Sequence, residues 1–235
     1  MNAIKINEIN NYIDRAGSLA SMPIFDIKRI QDTIDSITFP ILDDRILRRM
    51  GAIGIGGSRF TIPTSNPMIV AKIKRNPKSK LDALEEARIW MGLDNRDEWV
   101  WIKSHLAPYI GWKRFQSKGI EHNVIFMQRV DTFNLKKIEN ARIYGFIGDD
   151  EASQRDILKA VQLHRDLFPA GLTENDFFVK VYRFMLAMRI LHKNAMPLIL
   201  KKRKTCMPDM KFSNLGIHEG EIVLLDYQCI EDVTI

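Results

Sequence analysis

Pro208-Asp209-Met210-Lys211-Phe212-Ser213-Asn214, followed shortly by Glu219-Gly220-Glu221-Ile222-Val223-Leu224-Leu225-Asp226, reads as a polar loop and then a short hairpin. Leu215 and Ile217 alternate in one strand. Gly220 makes the turn, and Ile222 to Leu225 form the returning strand, which delivers Asp226 at its exit. Asp209, Asn214 and Asp226 are thus gathered by one tight unit. A carboxylate base, a metal-binding amide and a metal-binding carboxylate are what phosphoryl transfer from a magnesium nucleotide requires. The spacing Asp-x-x-x-x-Asn is short, so the reading needs an upstream half.

That half begins at Gly51. The run Gly51-Ala-Ile-Gly54-Ile-Gly56-Gly57-Ser58-Arg59-Phe60 is dense in glycine, and Ile69-Val70-Ala71-Lys72-Ile73 reads as a strand about a dozen residues later. A glycine turn between strands lets backbone amides come close to phosphates. A flexible hairpin is the plainer account of such a cluster when it stands alone. Ser79 is a candidate cap for a helix that carries Asp82, Glu85, Glu86 and Trp90. Tyr109 to Trp112 and Asn123 to Gln128 read as two strands around Ser117-Lys118-Gly119.

Taken in order, these motifs resemble those of protein kinases. The match runs from about Gly51 to Tyr227, and an Asp-Met-x-x-x-Asn loop like Asp209 to Asn214 is similar to that of the compact early-gene kinases of short-tailed bacteriophages. The resemblance implies an α+β, two-lobed kinase-like fold. It has a helical extension over 1–50, a small β-rich lobe over 51–130 and a truncated helical lobe over 131–235. It implies ATP and Mg2+ as cofactors. Gly54, Gly56, Gly57 and Ser58 would cover the phosphates, and Val70 would roof the base. Lys72, held by Glu86, would bind the upstream phosphates. Lys74 lies on the same strand face, but Lys72 is preferred because it places Val70 two residues earlier on the nucleotide side. Met127 would border the adenine pocket, with Gln128 and Val130 in the hinge. Asp209 would orient the acceptor hydroxyl and take its proton, Lys211 would steady the transferred phosphate, and Asn214 and Asp226 would hold magnesium.

The sequence also departs from the pattern. Met207-Pro208 replaces the usual His-Arg, and Tyr227-Gln228 the usual Phe-Gly. Eight residues follow Tyr227, which leaves no room for an activation segment. Regulation through such a segment is therefore not expected. The implied acceptors are serine and threonine hydroxyls of proteins, host proteins and the chain itself included. Two other readings stand beside this one: a pseudokinase or binding protein that blocks a host factor, and a small-molecule phosphotransferase of the aminoglycoside type. Nucleotidyl transfer on the same scaffold is a further alternative.

Composition sets the frame. The chain has 235 residues, 46% hydrophobic and 27% charged, as in an ordinary globular protein. No run of 18 apolar residues occurs, and Met1 to Asn11 is no secretory signal, so no membrane span and a cytosolic location are expected. Cys206 and Cys229 are the only cysteines, which argues against a disulfide framework or structural zinc. The net charge of +6 favours acidic partners, nucleotides included, without itself meaning nucleic-acid binding. Lys201 to Lys204 is read as a solvated basic loop within Pro197 to Thr205.

Helices are expected over 4–19, from Phe25 to Ile37, and from Asp43 or Asp44 to Arg49 with Gly51 as the stop. Further helices are expected from Leu135 to Phe146, from Glu151 to Phe168, and beyond a Thr173 cap. His164 and His192 are read as structural or exposed rather than as ligands. The methionine-rich face of the last helix is read as core.

Overall fold

The computed structural model describes residues 27–41, 43–79, 83–141, 148, 150–201 and 207–230. The chain is α+β, with antiparallel sheets and helices in two compact units. Residues up to Arg88, together with Pro108–Arg129, form one unit; Ile89–Ala107 and the chain from Val130 onward form the other. The division is not collinear with the sequence. Residues 27–49 share a core with the first sheet, and Ile89–Ala107 clusters with the later helices. The helix expected over 4–19 lies outside the described residues. Among the described residues, no helix is long and apolar enough to cross a membrane.

The first unit is built on β1 (Gly54–Ile55), β2 (Arg59–Pro63), β3 (Ile69–Lys74), β4 (Tyr109–Ser117) and β5 (Ile120–Gln128), ordered β1-β2-β3-β5-β4 and antiparallel throughout. Strand alternation divides the side chains between two faces. Ile69, Ala71 and Ile73 join Phe60, Ile62, Val124 and Phe126 on one face. There they pack against Ile30 and Ile34 of α1 (Ile27–Ser36) and Leu47 of α2 (Asp44–Arg49). The other face carries Val70 and Lys72. The β4–β5 hairpin is longer than the two strands expected from sequence, because polar positions such as Lys113, Arg114 and Gln116 continue the alternation. Its turn residues, Lys118 and Gly119, have φ of 51° and 74°, the left-handed pair of a type I′ turn.

Asp43 caps α2 as expected, its side chain accepting from the Arg45 amide. The expectation for Ser79 fails: α3 (Glu85–Gly92) begins six residues later. Asn76 organises a competing turn, its side chain accepting from Lys78 N at 3.1 Å and its carbonyl from Ser79 N at 3.1 Å. This commits Ser79 to a turn before any helix starts. Lys80 to Asp82 lie outside the described residues.

The second unit contains α4 (Leu135–Asn140), α5 (Glu151–Leu163) and α6 (Glu174–Ile190). The candidate helix to Phe146 is described only to Asn140, since 142–147 lie outside. Thr173 and Asp176 form a complete capping box at the start of α6. Phe177, Val181, Phe184, Ala187 and Met188 are buried in the core, with Ile157, Ala160 and Val161 of α5. The helix then widens into a π turn over Leu191–Ala195 and ends in α7 (Met196–Ile199). The loop expected from Pro197 is thus helical to Ile199. Pro197 stands at the start of α7, directly after the π turn. Lys201 is exposed, and 202–206 lie outside the described residues.

His164 is structural: it is buried, its Nδ1 donates to Ala160 O at 2.7 Å, and its Nε2 accepts from Asn134 N at 2.7 Å. His192 is half-buried, its Nδ1 within 3.0 Å of Met188 O.

Candidate functional site

The hairpin is present. β8 (Leu215–His218) pairs with β9 (Glu221–Leu224) in register Leu215↔Leu224. Glu219 and Gly220, at φ 49° and 75°, make another type I′ turn. Asp226 leaves β9 two residues after its end. On the far side, β6 (Asp131–Thr132) pairs with β8. A Cβ at Gly216 would stand 2.6 Å from Asp131 O, so only glycine lets these backbones approach.

Two loops are clamped together at both ends. Leu225 N donates to Asn214 O at 2.7 Å at one end. At the other, β7 (Met207–Pro208) pairs with β10 (Cys229–Ile230), with Pro208 opposite Cys229. Between these clamps lie Asp209 to Ser213 on one loop and Asp226 to Gln228 on the other. Residues 106–107 add a third hold. Ala107 N donates to Leu224 O at 2.9 Å, and Ala107 O accepts from the buried Tyr227 hydroxyl at 3.3 Å. Tyr227 therefore anchors the chain immediately after Asp226.

Within the first loop Met210 N donates to Pro208 O at 2.8 Å and Lys211 N to Asp209 O at 3.0 Å, and Phe212–Asn214 forms a 3-10 turn. Met210 and Phe212 are buried, while Asp209 is half-buried and Lys211 exposed. Asp209 and Lys211 therefore share a side. Lys211 Nζ donates to Asp209 Oδ2 at 3.1 Å; Oδ1 is buried, 3.0 Å from the ammonium but not aligned for a hydrogen bond. Asn214 donates its Nδ2 to Asp209 O at 2.7 Å, which fixes the amide and leaves Oδ1 as its outward acceptor. Asp226 is half-buried, and its Oδ1 lies 3.5 Å from Gln228 N.

These donors suit magnesium. The cation takes oxygen ligands only and keeps several from water and substrate phosphates, so one carboxylate and one amide oxygen suffice from the protein. No group of three or more His, Cys, Asp or Glu residues is placed to hold a metal among the described residues. Asn214 and Asp226 are the two residues that the kinase resemblance would assign to the metal.

The other candidate residues belong to the first unit. Lys72 Nζ donates to Glu86 Oε1 at 2.7 Å, and Glu86 is fully buried. Lys74 Nζ donates to Ser79 O at 3.0 Å. Burial, and then the neighbouring Arg59 charge, lower its pKa from the usual 10.5. Val70 and Met127 stand directly opposite each other, both buried, on the face that bears Lys72. Gly54, opposite Thr61, lies in the same cross-strand row as Lys72. Gly56 N donates to Arg59 O at 2.9 Å and closes the turn, while a Cβ on Gly57 would meet nothing within 4 Å. None of these glycines has a positive φ; open space, rather than backbone handedness, is what Gly57 provides. Ser58 O accepts from Arg75 N at 2.9 Å. Gln128 N is committed to Pro108 O at 2.8 Å, and Val130 is the first residue past the unit boundary. Lys72 with Glu86 thus belong to one unit, and Asp209, Lys211, Asn214 and Asp226 to the other.

No protein-family model matches the sequence, and no curated protein matches it.

Two arginines escaped the sequence reading. Arg59 shares Glu86 with Lys72, donating from Nη1 to Glu86 Oε2. Arg75 donates to Gly56 O and Ile41 O at 3.1 Å each and pairs with Asp44 at 2.7 Å, joining the glycine turn to α2. No local sequence signal separates them from the other basic residues; their partners are distant in the chain.

His105 braces β9 from below the site. Its Nδ1 donates to Ile222 O at 3.1 Å, and its Nε2 has no hydrogen-bond partner among the described residues. Burial lowers its pKa from the usual 6.5. The unfolded chain therefore takes up this proton first as pH falls, so stability is lost below about pH 6.5. Thermal melting at pH 7.5 and 5.5 should show a smaller acid loss in His105→Gln than in wild type, by up to about 1.4 kcal/mol per pH unit. Equal acid sensitivity would refute the assignment.

Proposed function

We propose that the chain is a magnesium- and ATP-dependent protein serine/threonine kinase with a two-lobed kinase-like fold. The observation that carries the proposal is the pairing of the Asp209–Asn214 loop with the Asp226 loop by backbone bonds at both ends. It is supported by a second, independent one: the strand lysine Lys72 pairs with the helical Glu86.

In this reading Lys72 binds the upstream phosphates, with Glu86 holding its ammonium in place. Gly54, Gly56, Gly57 and Ser58 lie over them, and Val70 and Met127 contact the base. Gln128 and Val130 form the connection between lobes. Asp209 accepts the proton of the attacking hydroxyl, and Lys211 steadies the transferred group. Asn214 and Asp226 would hold magnesium, which bridges the phosphates and offsets their charge when bound. Substrates would be protein hydroxyls, those of a host cell and of the chain itself included.

Incubation with γ-labelled ATP, magnesium and a cytosolic extract tests the proposal. Label is expected on protein and should disappear with EDTA. Retained ATP binding without protein label would favour the pseudokinase or the small-molecule phosphotransferase.

A further inference from the structure

Glu86 serves two cations, and the second is as well placed as the first. Its Oε1 accepts from Lys72 at 2.7 Å, and its Oε2 accepts from Arg59 Nη1. Arg59 is 6% exposed and Glu86 0%, so both bonds are shielded from water. The other terminal nitrogen of Arg59 lies 3.4 Å from Ala83 O, in the turn that leads into α3. The guanidinium therefore grips both the carboxylate and the backbone just ahead of the helix that carries it.

The backbone of the same residue does a second task. Arg59 O accepts from Gly56 N at 2.9 Å and so closes the glycine turn. One residue links the turn to the Lys72–Glu86 pair. Lys74, directly opposite Arg59 in the sheet, donates from its ammonium to Ser79 O at 3.0 Å.

We propose that Arg59 is a positioning residue for nucleotide binding. By holding Glu86 Oε2, it fixes the plane of the carboxylate, so that Oε1 keeps the Lys72 ammonium directed at the phosphates. The inference rests on the nucleotide-binding reading above. A carboxylate with one partner can rotate and exchange its oxygens. With each oxygen bonded to its own cation in a dry setting, that rotation would break two charge-assisted bonds at once. A planar guanidinium fixes the plane; an ammonium, as a point charge, does not.

The test uses the full chain. A fluorescent ATP analogue with magnesium is titrated into wild type, Arg59→Met and Arg59→Lys, with circular dichroism melting beside each. Arg59→Met is expected to weaken binding by about tenfold or more, and Arg59→Lys by about threefold. In the transfer assay, KM for ATP should rise by the same factors while kcat at saturating ATP changes far less. Arg59→Met binding within twofold of wild type overturns the proposal. If Arg59→Met does not fold, Arg59→Lys decides: weakened binding supports the proposal and unchanged binding overturns it. A wild type that binds no nucleotide overturns the nucleotide-binding reading and this inference together, an outcome distinct from normal wild-type binding with indifferent variants.

Discussion

Asp226→Ala should abolish magnesium-dependent transfer from ATP, by about 10³-fold or more, in a chain that still folds. The loss follows from the ligand set. In the proposed pair of Asn214 and Asp226, removing Asp226 takes away the charged member. A metal that offsets several kcal/mol of developing charge then has no seat. The fold survives because the clamps around Asp226 are made by other groups: Leu225 N on Asn214 O, Cys229 opposite Pro208, and the Tyr227 hydroxyl on Ala107 O. A stability loss of about 1 kcal/mol is expected. Asp226→Asn should restore melting but not turnover. Undiminished label transfer by Asp226→Ala would remove the catalytic assignment.

Glu86→Ala should lower stability by about 3–5 kcal/mol, the usual effect of removing one partner from a buried ionic cluster. It takes the carboxylate from two buried cations at once, Arg59 and Lys72, which are 6% and 11% exposed. The double change Arg59→Met with Glu86→Leu should recover part of the melting temperature, because apolar residues of similar volume remove the more buried of the two uncompensated charges and leave Lys72. It should not recover nucleotide binding. Stability and binding thus separate at this cluster, and a double variant that regains both would show that the cluster is structural only.

The sequence was informative where chemistry depends on local spacing. Two-residue alternation placed Leu215, Ile217 and the strand to Leu224, and a Gly220 turn followed from its neighbours. Asp43 and Thr173 declared their helices because a cap acts over three residues. Val70 and Lys72 share a strand face, as the two-residue period implies. What was not legible depended on distant partners. Ser79 looked like a cap until Asn76 claimed it. Arg59 and Arg75 acquire meaning only through Glu86 and Asp44. The joining of Ile89–Ala107 to the later chain is likewise invisible to any local window, since His105 meets Phe184 and Ala107 bonds to Leu224 and Tyr227.

The pairing of Met207–Pro208 with Cys229–Ile230 has a consequence for synthesis. During translation the first sheet, complete at Gln128, can form while the chain is still growing. The loop that carries Asp209 cannot close, because one of its clamps is the last strand described. A nascent chain thus acquires its Lys72–Glu86 pair well before the loops carrying Asp209 and Asp226 are set. Under the proposed kinase reading, a chain whose Ile230 has not yet left the ribosome and paired would hold a nucleotide without being able to transfer its phosphate.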